Sequence, residues 1–208
     1  MASPSFAKLV EEHTGSELGL ETGDILLKHV TLSITGSVIA FGQITTHPLT
    51  GSPGIIHAAL YIGENEVAEA SGEGLVFNNL SENLKHYRYE VFRYQGKNKK
   101  ALVERVLQRV EYSREKKPSY SIWKAFCSLF TSKSSKKKDE EVSLLSDSSI
   151  FCSGAVVDWF NYAALDLGMG EVFPFKGDAA SPQQLFDKFN GWARKSENWK
   201  FVASIPND

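Results

Sequence analysis

Ile150-Phe151-Cys152-Ser153-Gly154-Ala155-Val156-Val157, taken with the earlier Ile56-His57-Ala58-Ala59-Leu60-Tyr61-Ile62-Gly63, decides how this chain is read. From Cys152 onward the apolar positions Ala155, Val156, Trp159, Phe160, Ala163, Ala164 and Leu167 follow the i, i+3, i+4 spacing of one buried helical face. Ser148 and Ser149 offer capping hydroxyls just before it. Gly168 and Gly170 supply the left-handed residue that closes a helix. Cys152 is therefore expected in the first helical turn, on the buried face. A plain core cysteine would occupy the same position, since cysteine is among the residues most often fully buried. A thiol becomes a nucleophile when its thiolate is stabilised, as a helix N-terminus and a neighbouring imidazole can do.

The histidine segment alternates with period two. His57, Ala59 and Tyr61 fall on one face of a strand, and Ala58, Leu60 and Ile62 on the other. Gly63-Glu64-Asn65 is a turn, and Glu66-Val67-Ala68-Glu69-Ala70-Ser71 returns as a second strand. With a three-residue loop over 63–65, Ile62 pairs with Glu66 and Ala59 faces Glu69. Glu69 then shares the face of His57, one diagonal step away. A two-residue loop would slip the register and send Glu69 to the opposite face, so the triad reading depends on turn length. In the first arrangement Cys152, His57 and Glu69 form a sulfur, imidazole and carboxylate series, which is the apparatus of acyl transfer. A backbone amide at the start of the Cys152 helix is the expected oxyanion donor.

The order Gly23-Asp24-Ile25-Leu26-Leu27, His57 opening a strand that ends Tyr61-Ile62-Gly63, Val67-Ala68-Glu69-Ala70, then Phe151-Cys152-Ser153-Gly154 resembles the circularly permuted papain-like branch of the NlpC superfamily. YiiX-like proteins belong to that branch, with lecithin retinol acyltransferase more distant. There the histidine precedes the cysteine, the reverse of papain. The resemblance covers roughly residues 20–205. It implies an α+β fold with a central antiparallel sheet packed against helices, and the nucleophile at a helix N-terminus. It further implies Cys152 as nucleophile, His57 as general base and Glu69 as the polar group that orients the histidine. Tyr120, in Pro118-Ser119-Tyr120-Ser121, matches a site-shaping tyrosine of unpermuted relatives, and Ser153 follows the nucleophile in the same segment. The Asn-Cys-Glu-His context and second histidine of the acyltransferase branch are both missing.

These features predict a cysteine hydrolase cleaving an amide or peptide bond through a covalent acyl-enzyme on Cys152. The amide class rests on the resemblance. A lipid ester or thioester hydrolase or acyltransferase on the same triad is the alternative within enzymes, and an inactive scaffold acting as a binding module is the alternative outside them. Substrates are accordingly peptide, amide or acyl-lipid. No glycine-rich phosphate loop and no Cys/His cluster of zinc spacing occurs, so neither cofactor nor metal is expected.

Composition bounds the rest. The 208 residues, 42% of them hydrophobic, suffice for a single domain spanning 1–208. A net charge of −2 with no aromatic-basic motif argues against nucleic acid. Two cysteines, Cys127 and Cys152, make no disulfide framework and lean toward a reducing compartment. With no signal-like N-terminus and no apolar run of spanning length, a cytoplasmic location is expected, although delivery by a specialised secretion system would leave no recognisable mark.

Elsewhere, Phe6–Glu12 reads as a short helix, Asp24–Lys28 as a strand, 33–46 as a helix or loop, and 48–54 as a turn-rich loop. Gly74–Phe77 and Tyr89–Tyr94 are further strands. Leu102, Val103, Val106, Leu107 and Val110 mark an amphipathic helix, Ser181-Pro182-Gln183-Gln184 starts another, and Trp199–Ile205 closes the sheet. Neither His29 nor His47 heads an alternating strand with a carboxylate partner downstream, and both are ranked as structural or surface histidines. The Ser- and Lys-rich segment 132–149 is expected to be a mobile charged insertion. The apolar run 122–130, with Cys127 a buried bystander, is a core helix, its alternative being weak membrane-surface contact through 122–138.

Overall fold

Apolar alternation over two strands separated by turn formers closes into a hairpin, and that hairpin anchors the sheet. The computed structural model describes residues 18–29, 54–71, 74–116, 147–174, 182–195 and 198–206. In chain order these hold β1 (Ile25–His29), β2 (Ile55–Gly63), β3 (Glu66–Ser71), β4 (Gly74–Asn79), α1 (Leu80–Leu84), β5 (Tyr89–Tyr94), α2 (Lys99–Lys116), α3 (Asp147–Asp166), α4 (Pro182–Lys195) and β6 (Trp199–Ile205). The strands form one antiparallel sheet in the order β4-β3-β2-β1-β5-β6.

Period-two alternation gives the sheet two buried faces. Ile25, Leu27, Ala58, Leu60, Ala68, Ala70, Phe92 and Tyr94 share one core with residues of α2, α3 and α4. Leu26, Ala59, Tyr61, Val67, Tyr89, Val91 and Ile205 share the other with Leu80 and Leu84 of α1. On the first face α3 lies against β2, β3 and α2, while α4 covers β6 and β2. Its Phe189 stacks on Phe92 at 4.6 Å between ring centroids, and Trp199 meets Phe173 and Phe189 at 5.0 and 4.7 Å.

The hairpin departs from expectation in a way that leaves its parity intact. The loop is the two residues Glu64 and Asn65, with φ of 48° and 62°, the positive pair that a type I′ turn requires. Gly63, not Ile62, pairs with Glu66, and the register shifts between Tyr61 and Gly63. The loop is one residue shorter than expected and the strand one residue longer. A loop of two residues was expected to send Glu69 to the opposite face; it does not, because the bulge absorbs the slip and Ala59 still pairs with Glu69.

The Gly23-Asp24 pair has a structural role. Gly23 adopts φ +92° and donates its N–H to the Tyr61 carbonyl, while a Cβ there would sit 2.8 Å from a Val103 methyl. Asp24 accepts two bonds from Arg93, at 2.7 Å each, and one from the Glu21 N–H. Gly23→Ala is expected to lower stability by about 2 kcal/mol, from the left-handed backbone alone or slightly more with the Val103 contact. Urea denaturation checks this, and a variant as stable as the parent would show that the turn relaxes freely.

The charged segment 132–149 was expected to run up to the helix; instead α3 starts at Asp147, so residues 147–149 form its first turn. An acid and two serines favour exactly this end of a helix, whether as caps or inside it, through the helix dipole and local hydrogen bonding. At the other end Gly168, φ +66°, closes α3, with the Met169 N–H on the Ala164 carbonyl and the Gly168 N–H on that of Leu165. The expected elements at 6–12, 33–46, 48–53 and 122–130, with His47, Tyr120 and Cys127, lie outside the described residues, as does 132–146.

Candidate active site

His57 takes its place from parity. Ala59 and Tyr61 of β2 face the α1 side of the sheet, as do Val67 of β3 and Leu26 of β1, so His57, Glu69 and Lys28 all project to that side. His57 Nε2 lies 2.9 Å from Oε2 of Glu69. The contact falls off the axis of the ring N–H, which makes it an ion pair rather than a linear hydrogen bond. The other Glu69 oxygen accepts from Asn83 Nδ2 at 3.1 Å, and Lys28 Nζ stands 3.4 Å from Oε2. The carboxylate is 5% exposed, so each of its oxygens is held by protein rather than by water.

Cys152 comes from the opposite side, on α3, packed in the core that holds Ala58 and Leu60. It reaches His57 because the β2–β3 ladder ends at the Ala59–Glu69 pair. The next amide toward the start of β2, that of Ala58, donates to Cys152 Sγ at 3.4 Å instead of to β3. Through that opening the sulfur stands close enough to the imidazole to act on its charge. The structure thus brings Cys152, His57 and Glu69 together from α3, β2 and β3. Ser153 is fully buried on α3 beside the cysteine. Tyr120 lies outside the described residues. His29 sits apart, 3.2 Å from Glu90, which also accepts from Ser204.

One expectation is corrected here. Cys152 was placed in the first helical turn, but α3 begins five residues earlier and puts it in the second. Its own N–H therefore belongs to the helical ladder and is not one of the free N-terminal donors. The donor that faces the sulfur is the strand amide of Ala58. Sequence reasoning also passed over Lys28 and Asn83. The signal available for Lys28 was a lone cation ending an otherwise apolar strand.

Burial alone would lower the His57 imidazole, but the negative sulfur of Cys152 and then Glu69 more than reverse this and raise its pKa to about 9. Burial pushes Glu69 toward its acid form, yet the His57 contact and next the Lys28 charge hold the carboxyl below its ordinary range. His57 is thus imidazolium at neutral pH. Since its folded value is raised, its stabilising contribution is complete below the ordinary 6.5 and is lost as pH rises through about 9. Thermal midpoints recorded across that interval should fall in the parent protein and stay nearly level in His57→Gln. A level profile in both would mean that the ring carries no charge when folded.

No family model, curated protein or solved structure matches the chain. Among the described residues, no group of His, Cys, Asp and Glu is arranged to hold a metal ion, and no helix is long and apolar enough to cross a membrane.

Proposed function

We propose that this chain is a cysteine-dependent hydrolase with a permuted papain-like fold, cleaving an amide or peptide bond through an acyl-enzyme on Cys152. What supports it is the convergence of a thiol, an imidazole and a buried carboxylate from three separate elements, with the imidazole raised to about 9 by the other two. In this scheme the Cys152 thiolate attacks the substrate carbonyl carbon, forming a C–S bond and moving the carbonyl pair onto oxygen. Collapse breaks the C–N bond while the His57 imidazolium gives its proton to the departing amine. Neutral His57 then takes a proton from water as the water oxygen attacks the thioester. Expulsion of the sulfur as thiolate releases the acid and restores the starting pair. Glu69 stays ionised throughout and stabilises the imidazolium.

The preference for an amide rests on the resemblance to NlpC-type enzymes. Incubation with cell extract, followed by mass spectrometry of the Cys152 peptide, tests the scheme and reports the transferred group. A peptidyl or amino-acyl adduct supports it; a fatty-acyl adduct would move the substrate to a lipid ester or thioester. A second possibility, a binding module that does not react, is favoured by one observation: Cys152 is 0% exposed, as an inert core thiol would be. Iodoacetamide separates the two. A module leaves Cys152 unmodified until the chain is denatured.

A further inference from the structure

We propose that Lys28 is a positioning residue of this site: its ammonium shares Oε2 of Glu69 with His57, keeps that group a carboxylate, and so preserves the charged partner on which the imidazole rests. The catalytic consequence depends on the hydrolase proposal above, but the link between Lys28 and Glu69 does not.

The placement is set by backbone register. Lys28 is the cross-strand partner of His57 between β1 and β2, and of Tyr89 between β1 and β5. Its side chain, 11% exposed, runs over the Tyr87 ring, with Nζ 4.3 Å from the centroid, and ends 3.4 Å from Glu69. Among the described residues, the groups facing Glu69 are Lys28 from β1, His57 from β2, Asn83 from α1 and Tyr89 from β5, with Tyr87 beneath the ammonium. Asn83 is neutral. Tyr89 is buried, and burial followed by the Glu69 charge pushes its phenol upward, so it too remains neutral. Lys28 and His57 therefore converge on one oxygen of the buried Glu69 carboxylate, at 3.4 and 2.9 Å, where an uncompensated ion would be costly.

Without the ammonium, the cation that Glu69 keeps among the described residues is the same imidazolium whose proton moves during the reaction. Each time His57 gave up that proton, Glu69 would be left buried and unpaired, and it would compete for a proton itself. Lys28 prevents this by remaining charged while His57 cycles.

The test follows the Glu69 side-chain carboxyl by 13C NMR through an acid titration of the full-length chain, in the parent, Lys28→Met and Lys28→Arg. The Glu69 titration should move upward by about one pH unit or more in Lys28→Met and stay near the parent position in Lys28→Arg. The acid limb of Cys152 alkylation by iodoacetamide should move the same way. A role confined to packing would lower the melting temperature and leave both profiles in place, and that result overturns the proposal. Lys28→Gln carries the same measurement if Lys28→Met does not fold. If the carboxyl titration moves while Cys152 in the parent never alkylates, the hydrolase scheme falls and the Lys28–Glu69 link stands.

Discussion

Cys152→Ser is expected to retain the fold and abolish both native-state alkylation and acyl-adduct formation, with turnover down by about 10³-fold or more. Serine is close to cysteine in size and preserves an acceptor for the Ala58 N–H, so the packing of α3 on β2 should change little. What disappears is the reacting atom, because a hydroxyl ionises far less readily than a thiol and the imidazolium cannot make up the difference. Cys152→Ala would confound this, since it leaves the Ala58 amide unpaired in the core at a cost of about 1–3 kcal/mol. Circular dichroism alongside peptide mass spectrometry checks both halves. If the serine variant still forms adducts, the nucleophile lies elsewhere in the chain.

Glu69→Leu carries the largest expected loss of stability. The carboxylate faces two cations, Lys28 at 3.4 Å and His57 at 2.9 Å, and all three side chains are at most 18% exposed. Removing Glu69 takes from both the ammonium and the imidazolium the carboxylate that each of them pairs with. Breaking a buried ion pair from one side costs about 3–5 kcal/mol. For a chain of this length that lowers the melting temperature by on the order of 10 °C. The pH dependence has a definite sign. Glu69 is held below its ordinary 4.5, so its contribution is present above that value and fades as pH falls through its lowered folded value. Acid unfolding of the parent should therefore lose stability in that region, and Glu69→Leu should be flatter there. Equal melting temperatures for the two proteins would show that the carboxylate is solvated and dispensable.

The parts of this site that could be read from sequence are those set by local periodicity. Alternation over Ile55–Gly63 and Glu66–Ser71 pairs Ala59 with Glu69 only on the assumption of a three-residue loop, and the pairing holds because a bulge between Tyr61 and Gly63, which alternation does not signal, offsets the shorter turn. The apolar spacing from Cys152 to Ala164 marks the buried face, whereas Leu167, counted on the same face, is exposed beyond the end of α3. Its starting point was not legible, since Asp147, Ser148 and Ser149 suit a cap and a first turn equally well. Lys28 was not legible either. Whether a cation at the end of an apolar strand meets water or a carboxylate depends on which strands flank it, and β2 and β5 are separated from β1 by long stretches of chain. The passage of the sulfur to the far face depends on where the β2–β3 pairing stops, a long-range outcome that no window of sequence contains.

The amide of Ala58, turned from its strand neighbour onto sulfur, offers a reporter that needs no added label. Its proton senses whatever atom replaces the lone pairs it now touches, so a thioether, a thioester or an oxidised sulfur should each displace its resonance by a different amount. A single backbone signal would then follow the chemical history of the cysteine in real time, with the substrate still unidentified.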